Sequence, residues 1–223
     1  MPYYEGDGVT LYHGDCRDRR DWLAADVLVT DPPYGIGWTR GVNAARASKA
    51  HAGIANDGDT ALRDWALAEW GERPAVVFGS LYAPFPSPLR HLLVWEKPRD
   101  AGVVGSTTGY RRDVEAVFLL GPWPKRSAAW GSVVRSAMPN IGSPSSPAGR
   151  TGHPHTKPVD LLCQLIERAP LGAVADPFAG SGSTLVAAKM LGRRAVGVEM
   201  DERYCETAAR RLSQGVLALE GVA

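Results

Sequence analysis

A chain of 223 residues, 44% hydrophobic and 22% charged, has the length and composition of one globular domain with a sizeable core. It has no run of eighteen apolar residues, so no membrane span is expected, and its start, Met1-Pro2-Tyr3-Tyr4-Glu5-Gly6-Asp7, lacks the basic and apolar regions of a signal peptide. The net charge of +1 is too small to diagnose a nucleic-acid partner, and Cys16, Cys163 and Cys205 are too scattered for a zinc site or a disulfide framework, which points to a reducing, cytoplasmic setting.

In chain order, short apolar runs bounded by turn or cap residues predict strands at 9–12, 27–30, 75–78, 92–95, 114–120, 173–175 and 195–198. Helical patterns fall between them. One opens at Asp59-Thr60 and runs to about Trp70, and a second follows Pro158 from Val159 to about Arg168. A third runs from Ser183 to about Leu191 and stops at Gly192. The fourth runs to about Leu212, with Asp201 as N-cap and Arg210-Arg211 in the last turn, where cations suit the helix dipole. Strands alternating with helices predict an α/β fold, a mostly parallel sheet covered on both faces.

Two stretches break this rhythm. Residues 35–58 are rich in Gly, Ala and Asn and directly follow Tyr34; they read as a flexible loop over a site. Residues 121–152 are rich in Pro, Ser and Gly and carry Trp123, Lys125, Arg126, Trp130, Arg135 and Arg150. From Arg90 to Asp160 ten Lys/Arg face five Asp/Glu, a local excess of +5. Basic residues interleaved with tryptophans suit a phosphate backbone, though a solvated surface with core aromatics explains the pattern as well.

Two motifs carry chemistry. In Asp176-Pro177-Phe178-Ala179-Gly180-Ser181-Gly182-Ser183-Thr184, which joins a strand to a helix, Gly180 and Gly182 permit a tight turn close to a bound ligand. The next strand ends in Glu199, seventeen residues beyond Gly182, where a carboxylate can accept hydrogen bonds from ribose hydroxyls. Asp176 can accept one from an amino-acid ammonium. A cationic cofactor without phosphate matches these acidic groups, whereas a dinucleotide would want a third glycine where Thr184-Leu185 stands.

Asp31-Pro32-Pro33-Tyr34 ends the strand predicted at 27–30, where ligands of open α/β sheets collect. The two prolines stiffen the backbone and remove N–H donors. The Asp31 carboxylate and the Pro32 carbonyl are two acceptors for the two N–H groups of an aromatic amine. Such pairing favours a tetrahedral, nucleophilic nitrogen that can attack a methyl donor in line. Tyr34 offers a stacking surface to a base flipped out of its duplex, offsetting part of an unstacking cost of roughly a few kcal/mol.

These residues resemble the DNA amino-methyltransferases that modify adenine N6 or cytosine N4, in the permuted beta-class order where the Asp-Pro-Pro-Tyr segment precedes the glycine-rich one. The resemblance extends to Leu11-Tyr12-His13-Gly14-Asp15-Cys16, His153-Pro154-His155-Thr156-Lys157-Pro158 and Gly197-Val198-Glu199-Met200-Asp201-Glu202-Arg203-Tyr204. Less specifically it includes Trp95-Glu96-Lys97-Pro98 and Arg112-Asp113-Val114-Glu115. It implies a Rossmann-like methyltransferase domain over residues 1–223 with a seven-stranded sheet, and S-adenosylmethionine as cofactor. It also implies catalysis by Asp31, Pro32, Pro33 and Tyr34, and a cofactor pocket of Asp15, Thr156, Lys157, Asp176, Phe178, Gly180, Gly182 and Glu199. No metal is expected.

Members with Asp at the first catalytic position lean to adenine and those with Ser to cytosine, so adenine N6 is the leading reading and cytosine N4 the alternative. Cytosine C5 chemistry needs a thiolate after proline, and no cysteine here follows one. Methylation of protein glutamine or of RNA more often goes with Asn in place of Asp31. A non-catalytic binding module stays an alternative of a different class. The expected partner is DNA, with no membrane. Residues 121–152 read as a small target-recognition insertion in which Arg126 and Arg135 touch DNA. A homodimer and a restriction-endonuclease partner are left open.

Overall fold

Val27-Leu28-Val29-Thr30 is buried along its whole length, as a strand covered on both faces of a sheet must be. The computed structural model containing it describes residues 1–37, 57–97, 109–110, 113–125, 129–136 and 156–214. Arg126 and most of the two irregular stretches lie outside these residues.

The strands are β1 (Tyr4–Gly6), β2 (Val9–His13), β3 (Val27–Thr30), β4 (Ala75–Gly79), β5 (Leu89–Glu96), β6 (Val114–Leu120), β7 (Val133–Arg135), β8 (Val174–Asp176) and β9 (Ala195–Glu199). The helices are α1 (Ala61–Trp70), α2 (Val159–Arg168), α3 (Ser183–Met190) and α4 (Glu202–Ser213). A single sheet carries the order β1-β2-β9-β8-β3-β4-β6-β5-β7. Neighbours pair in parallel except β1 with β2, β4 with β6 and β6 with β5.

All seven expected strands and all four helices are present, with ends shifted by up to three residues. The sheet nonetheless has nine strands among the described residues, not seven. The first addition, β1, returns on β2 through Asp7-Gly8, both with positive φ (51° and 76°), the backbone of a tight hairpin. Its three residues include Glu5 and Gly6 and show no apolar alternation. The second, β7, lies within the stretch 121–152 that reads as irregular, and pairs with β5. Only Val134 of its three residues is buried, too little for periodicity to register.

Alternation along the central strands divides the core into two layers. Val27, Val29, Val76 and Phe78 face α2, α3 and α4 through Leu161, Leu165, Leu185 and Leu212. Leu28, Val77 and Phe118 face the other way, onto Trp22 and Trp70, whose rings stack 6.0 Å apart. Both indoles are buried with their N–H groups satisfied, by the carbonyls of Cys16 and Pro74. None of the described helices is long and apolar enough to cross a membrane.

This packing sets a narrow tolerance at Gly197 in β9. A Cβ there would lie 2.7 Å from Leu185 Cδ1 and 3.2 Å from Ala179 Cβ, and both neighbours are buried. Gly197→Ala is therefore expected to destabilise the fold by about 1–3 kcal/mol, read as a lower urea midpoint with an unchanged slope.

Candidate active site

Strands β2, β9, β8, β3, β4 and β5 all run the same way, so their carboxyl ends share one edge of the sheet. Chain order reverses between β8 and β3: β8 leads through α3 to β9 on one side, and β3 leads through α1 to β4 on the other. Such a switch point opens a crevice where ligands bind. Asp31 follows β3 and Asp176 ends β8, and the Thr30 hydroxyl donates to Asp176 Oδ1 at 2.7 Å. Segments 146 residues apart are thereby joined by one hydrogen bond.

On the β8–β9 side the glycine turn is shaped by its neighbours. Gly180 and Gly182 have φ of 51° and 79°, a left-handed conformation that side chains with a Cβ rarely adopt. At Gly182 a Cβ would also lie 2.7 Å from Ala208 Cβ of α4. The Gly180 N–H donates to Glu199 Oε2 at 2.7 Å, and the Asp201 N–H donates to Oε1 at the same distance. Burial raises the Glu199 carboxyl above its ordinary range, and these N–H donors oppose the rise.

Asp176 is buried, and burial pushes its carboxyl up to about 7 against the pull of the Thr184 and Thr30 hydroxyls and the Phe178 N–H. Phe178 packs half-buried against the Trp22 layer. Thr156 Oγ1 lies 3.0 Å from Ser181 Oγ, which brings the segment before α2 onto the glycine turn. Asp15 sits just beyond β2, beside the Gly14 N–H that donates to the Glu199 carbonyl. Its carboxylate is bound by Arg17 at 2.5 Å, which holds it below the ordinary range.

The catalytic candidates lie on the β3 side. Lys157 is buried, and its ammonium donates to Asp31 Oδ2 at 2.6 Å, not to the glycine turn. The Tyr34 hydroxyl lies 2.7 Å from Asp31 Oδ1 and 3.0 Å from Glu115 Oε2. Lys97 Nζ holds Glu115 Oε1 at 2.6 Å, and Lys157 Nζ lies 3.4 Å from Glu115 Oε2. Burial alone would raise Glu115, yet the two ammonium groups and the phenol hold it down at about 2. Burial would lower Lys157, but Asp31 and Glu115 reverse that and leave it raised. Burial and the two carboxylates together raise the Tyr34 phenol well above its ordinary range.

Three participants were not singled out in the sequence. Glu115 and Lys97 lie in segments that resemble the family only loosely, without an assigned role. Arg211 follows its helix periodicity as a plausible dipole partner, yet its guanidinium reaches Ser181 O at 2.5 Å and Ser183 Oγ at 3.1 Å. It thereby pins the glycine turn from α4, and burial lowers it to about 10. Arg135, by contrast, sits at the end of β7 and pairs with Glu96 on an exposed surface.

An open α/β sheet with carboxylates at its switch point defines the class of Rossmann-like proteins that bind ligands at that crevice, and comparison with known proteins narrows the class. A family model described as N6_N4_Mtase, DNA methylase, matches residues 77–210. "Putative methylase YubD" of Escherichia coli (strain K12) is 30% identical over 85% of this chain and 82% of its own length. The type II methyltransferase M.ScaI of Streptomyces caespitosus is 24% identical over 95% of this chain and 83% of its own. Among solved structures, the M1.HpyAVI–SAM complex superposes with a TM-score of 0.63 at 22% identity, covering 92% of this chain and 99% of that one. The cytosine-N4-specific PvuII DNA methyltransferase does so with a TM-score of 0.64 at 16% identity, covering 97% and 90%. The chain belongs to the N6/N4 DNA methylase family.

The raised Asp176 carboxyl has a consequence for stability. Its proton is held more tightly in the folded chain than in the unfolded one. The associated stability is thus fully present below an unfolded value near 4 and is lost as pH rises through about 7. In Asp176→Asn that loss is expected to disappear. Thermal midpoints of the two proteins between pH 4 and 8 should move in favour of the variant as pH rises.

Proposed function

We propose that this DNA methylase transfers a methyl group from S-adenosylmethionine to the exocyclic amino group of a flipped-out base, adenine N6 in the first reading. The observation that carries it is the placement of Asp31-Pro32-Pro33-Tyr34 and Asp176 at the ends of adjacent strands, bridged by Thr30. A methyl acceptor and a methyl donor must meet, and this arrangement puts the proposed amine-binding and cofactor-binding groups side by side.

The residues present fit that cofactor. Its ammonium and sulfonium are cations, and Asp176 is a buried carboxyl to which a cation would restore the ionised form. Its ribose hydroxyls are donors, and Glu199 keeps lone pairs beyond those taken by the Gly180 and Asp201 N–H groups. At Gly182, where a Cβ would meet Ala208, bare backbone lets the turn pack directly against α4. Asp15, Thr156, Phe178, Gly180 and Gly182 complete the proposed pocket. When bound, the cofactor supplies an electrophilic methyl group.

Asp31 and the Pro32 carbonyl accept the two amino hydrogens of the base. They draw the nitrogen lone pair out of conjugation and aim it at the methyl carbon. The Tyr34 ring stacks on the base. Lys157 stands with the catalytic set here, orienting the Asp31 carboxylate through Oδ2. Cytosine N4 is the second reading: a cytosine-N4-specific enzyme uses the same fold, so the architecture serves either base. The aspartate at position 31 favours adenine.

Two pairs of measurements test this reading. Asp31→Ala is expected to reduce methyl transfer at least a thousandfold with cofactor affinity within a few-fold. Glu199→Ala should first weaken cofactor binding, and calorimetric titration with radiolabel transfer to DNA separates the two. Sequencing DNA from expressing cells for N6-methyladenine and N4-methylcytosine identifies the base. For DNA contact, Arg135 forms only a surface ion pair with Glu96, worth about 0–1 kcal/mol, and so is readily transferred to a phosphate. Arg135→Ala should weaken binding to all duplexes similarly and reduce the salt slope by about one. Arg126 is proposed to act in the same way.

A further inference from the structure

Glu115 brings a second carboxylate into a site whose proposed chemistry needs only Asp31. Lys97 anchors its Oε1, so that Oε2 faces Tyr34 at 3.0 Å and Lys157 at 3.4 Å. Placing a carboxylate here costs desolvation that an apolar residue would avoid. The cost is understandable if Glu115 has a task at the reacting centre.

The hydrogen count supplies that task. A phenol carries one hydrogen, so Tyr34 can donate to Asp31 Oδ1 or to Glu115 Oε2, but not fully to both. Asp31 Oδ2 is already held by Lys157 at 2.6 Å. Each carboxylate oxygen can accept a second hydrogen bond, but an amino group arriving at Asp31 then shares Oδ1 with the phenol, and two donors on one oxygen weaken each other. Were Asp31 the only acceptor in reach, the phenol hydrogen would either draw on the oxygen that prepares the amine or be left without a full partner in a half-buried site, at a cost that falls on the reactive complex.

We propose that Glu115 is a positioning residue that receives the Tyr34 hydroxyl hydrogen bond when the target amino group takes its place on Asp31. No covalent bond changes in this step; the O–H turns about the phenol C–O bond from one carboxylate to the other. Lys97 keeps Glu115 in register, and Lys157 keeps Asp31 from turning away with the phenol. The inference rests on the reading of Asp31 as the amine acceptor.

A double-mutant cycle tests it, with Tyr34→Phe removing the hydroxyl while keeping the ring. Glu115→Leu is expected to lower the single-turnover methyl-transfer rate by about ten- to a hundredfold, consistent with an unsatisfied buried donor, with cofactor affinity within about twofold. In the Tyr34→Phe background the same change should cost less than about threefold, because no hydroxyl is left to strand. Loss of charge balance against the two lysines is common to both backgrounds and cancels in the cycle. Where the leucine variant does not fold, Glu115→Asp keeps the charge and withdraws the acceptor by one methylene. The same coupling to Tyr34 is expected of it. Equal losses in the two backgrounds, or no loss in either, would overturn the proposal. Asp31→Ala measured alongside separates the cases: an active Asp31→Ala defeats the amine-acceptor reading itself, whereas an inactive one with an additive cycle defeats only the role of Glu115.

Discussion

Thr30 and Asp176 end neighbouring parallel strands, and the hydrogen bond between them is the contact on which the site is built. It exists because β3 and β8 are apolar up to their last residues and buried on both faces, so they occupy the centre of the sheet where chain order reverses. Everything chemical then follows from strand direction. With seven of the described strands pointing the same way, the residues that leave their carboxyl ends must converge on one edge, and those residues include His13-Gly14, Glu199, Asp176, Asp31, Ser80 and Lys97. Strand β6 enters from that edge in the opposite sense, which places Glu115 among them.

The two halves of the edge differ in electrostatics. On the β8–β9 side, Asp176 and Glu199 are raised by burial and are held by backbone N–H groups and hydroxyls. Among the described residues neither carboxylate has a lysine or arginine as ion-pair partner, and Arg211 binds the turn at Ser181 instead. On the β3 side, Asp31 and Glu115 face Lys157 and Lys97, so charge is balanced within the protein. A buried ion-pair set of this kind contributes little net stability once desolvation is counted. What it does is fix the direction of the carboxylate oxygens of Asp31 and Glu115.

The glycine turn shows how tertiary contacts finish what local chemistry begins. Gly180 and Gly182 permit the left-handed backbone, but the turn is held from outside, by Glu199 through the Gly180 N–H and by Arg211 through the Ser181 carbonyl. Contacts from β9 and α4 thus fix the backbone of the turn that is proposed to face the cofactor. Such preorganisation reduces the ordering cost of binding.

Strand and helix positions were legible in the sequence because they depend on local periodicity and caps. The continuous apolar runs of β3 and β4, Asp201 as N-cap of α4 and the paired glycines all act within a few residues. Strands β1 and β7 escaped notice because three residues carry too little pattern. The residues of Asp31-Pro32-Pro33-Tyr34 and of the turn after Asp176 carry the proposed chemistry by type and order alone. What only the tertiary structure decided is which charges meet. Lys157 reaches Asp31 across 126 positions, Tyr34 reaches Glu115 across 81, and Arg211 reaches Ser181 across 30. Each of these contacts is set by strand order and burial, and neither can be computed from the spacing of residues along the chain.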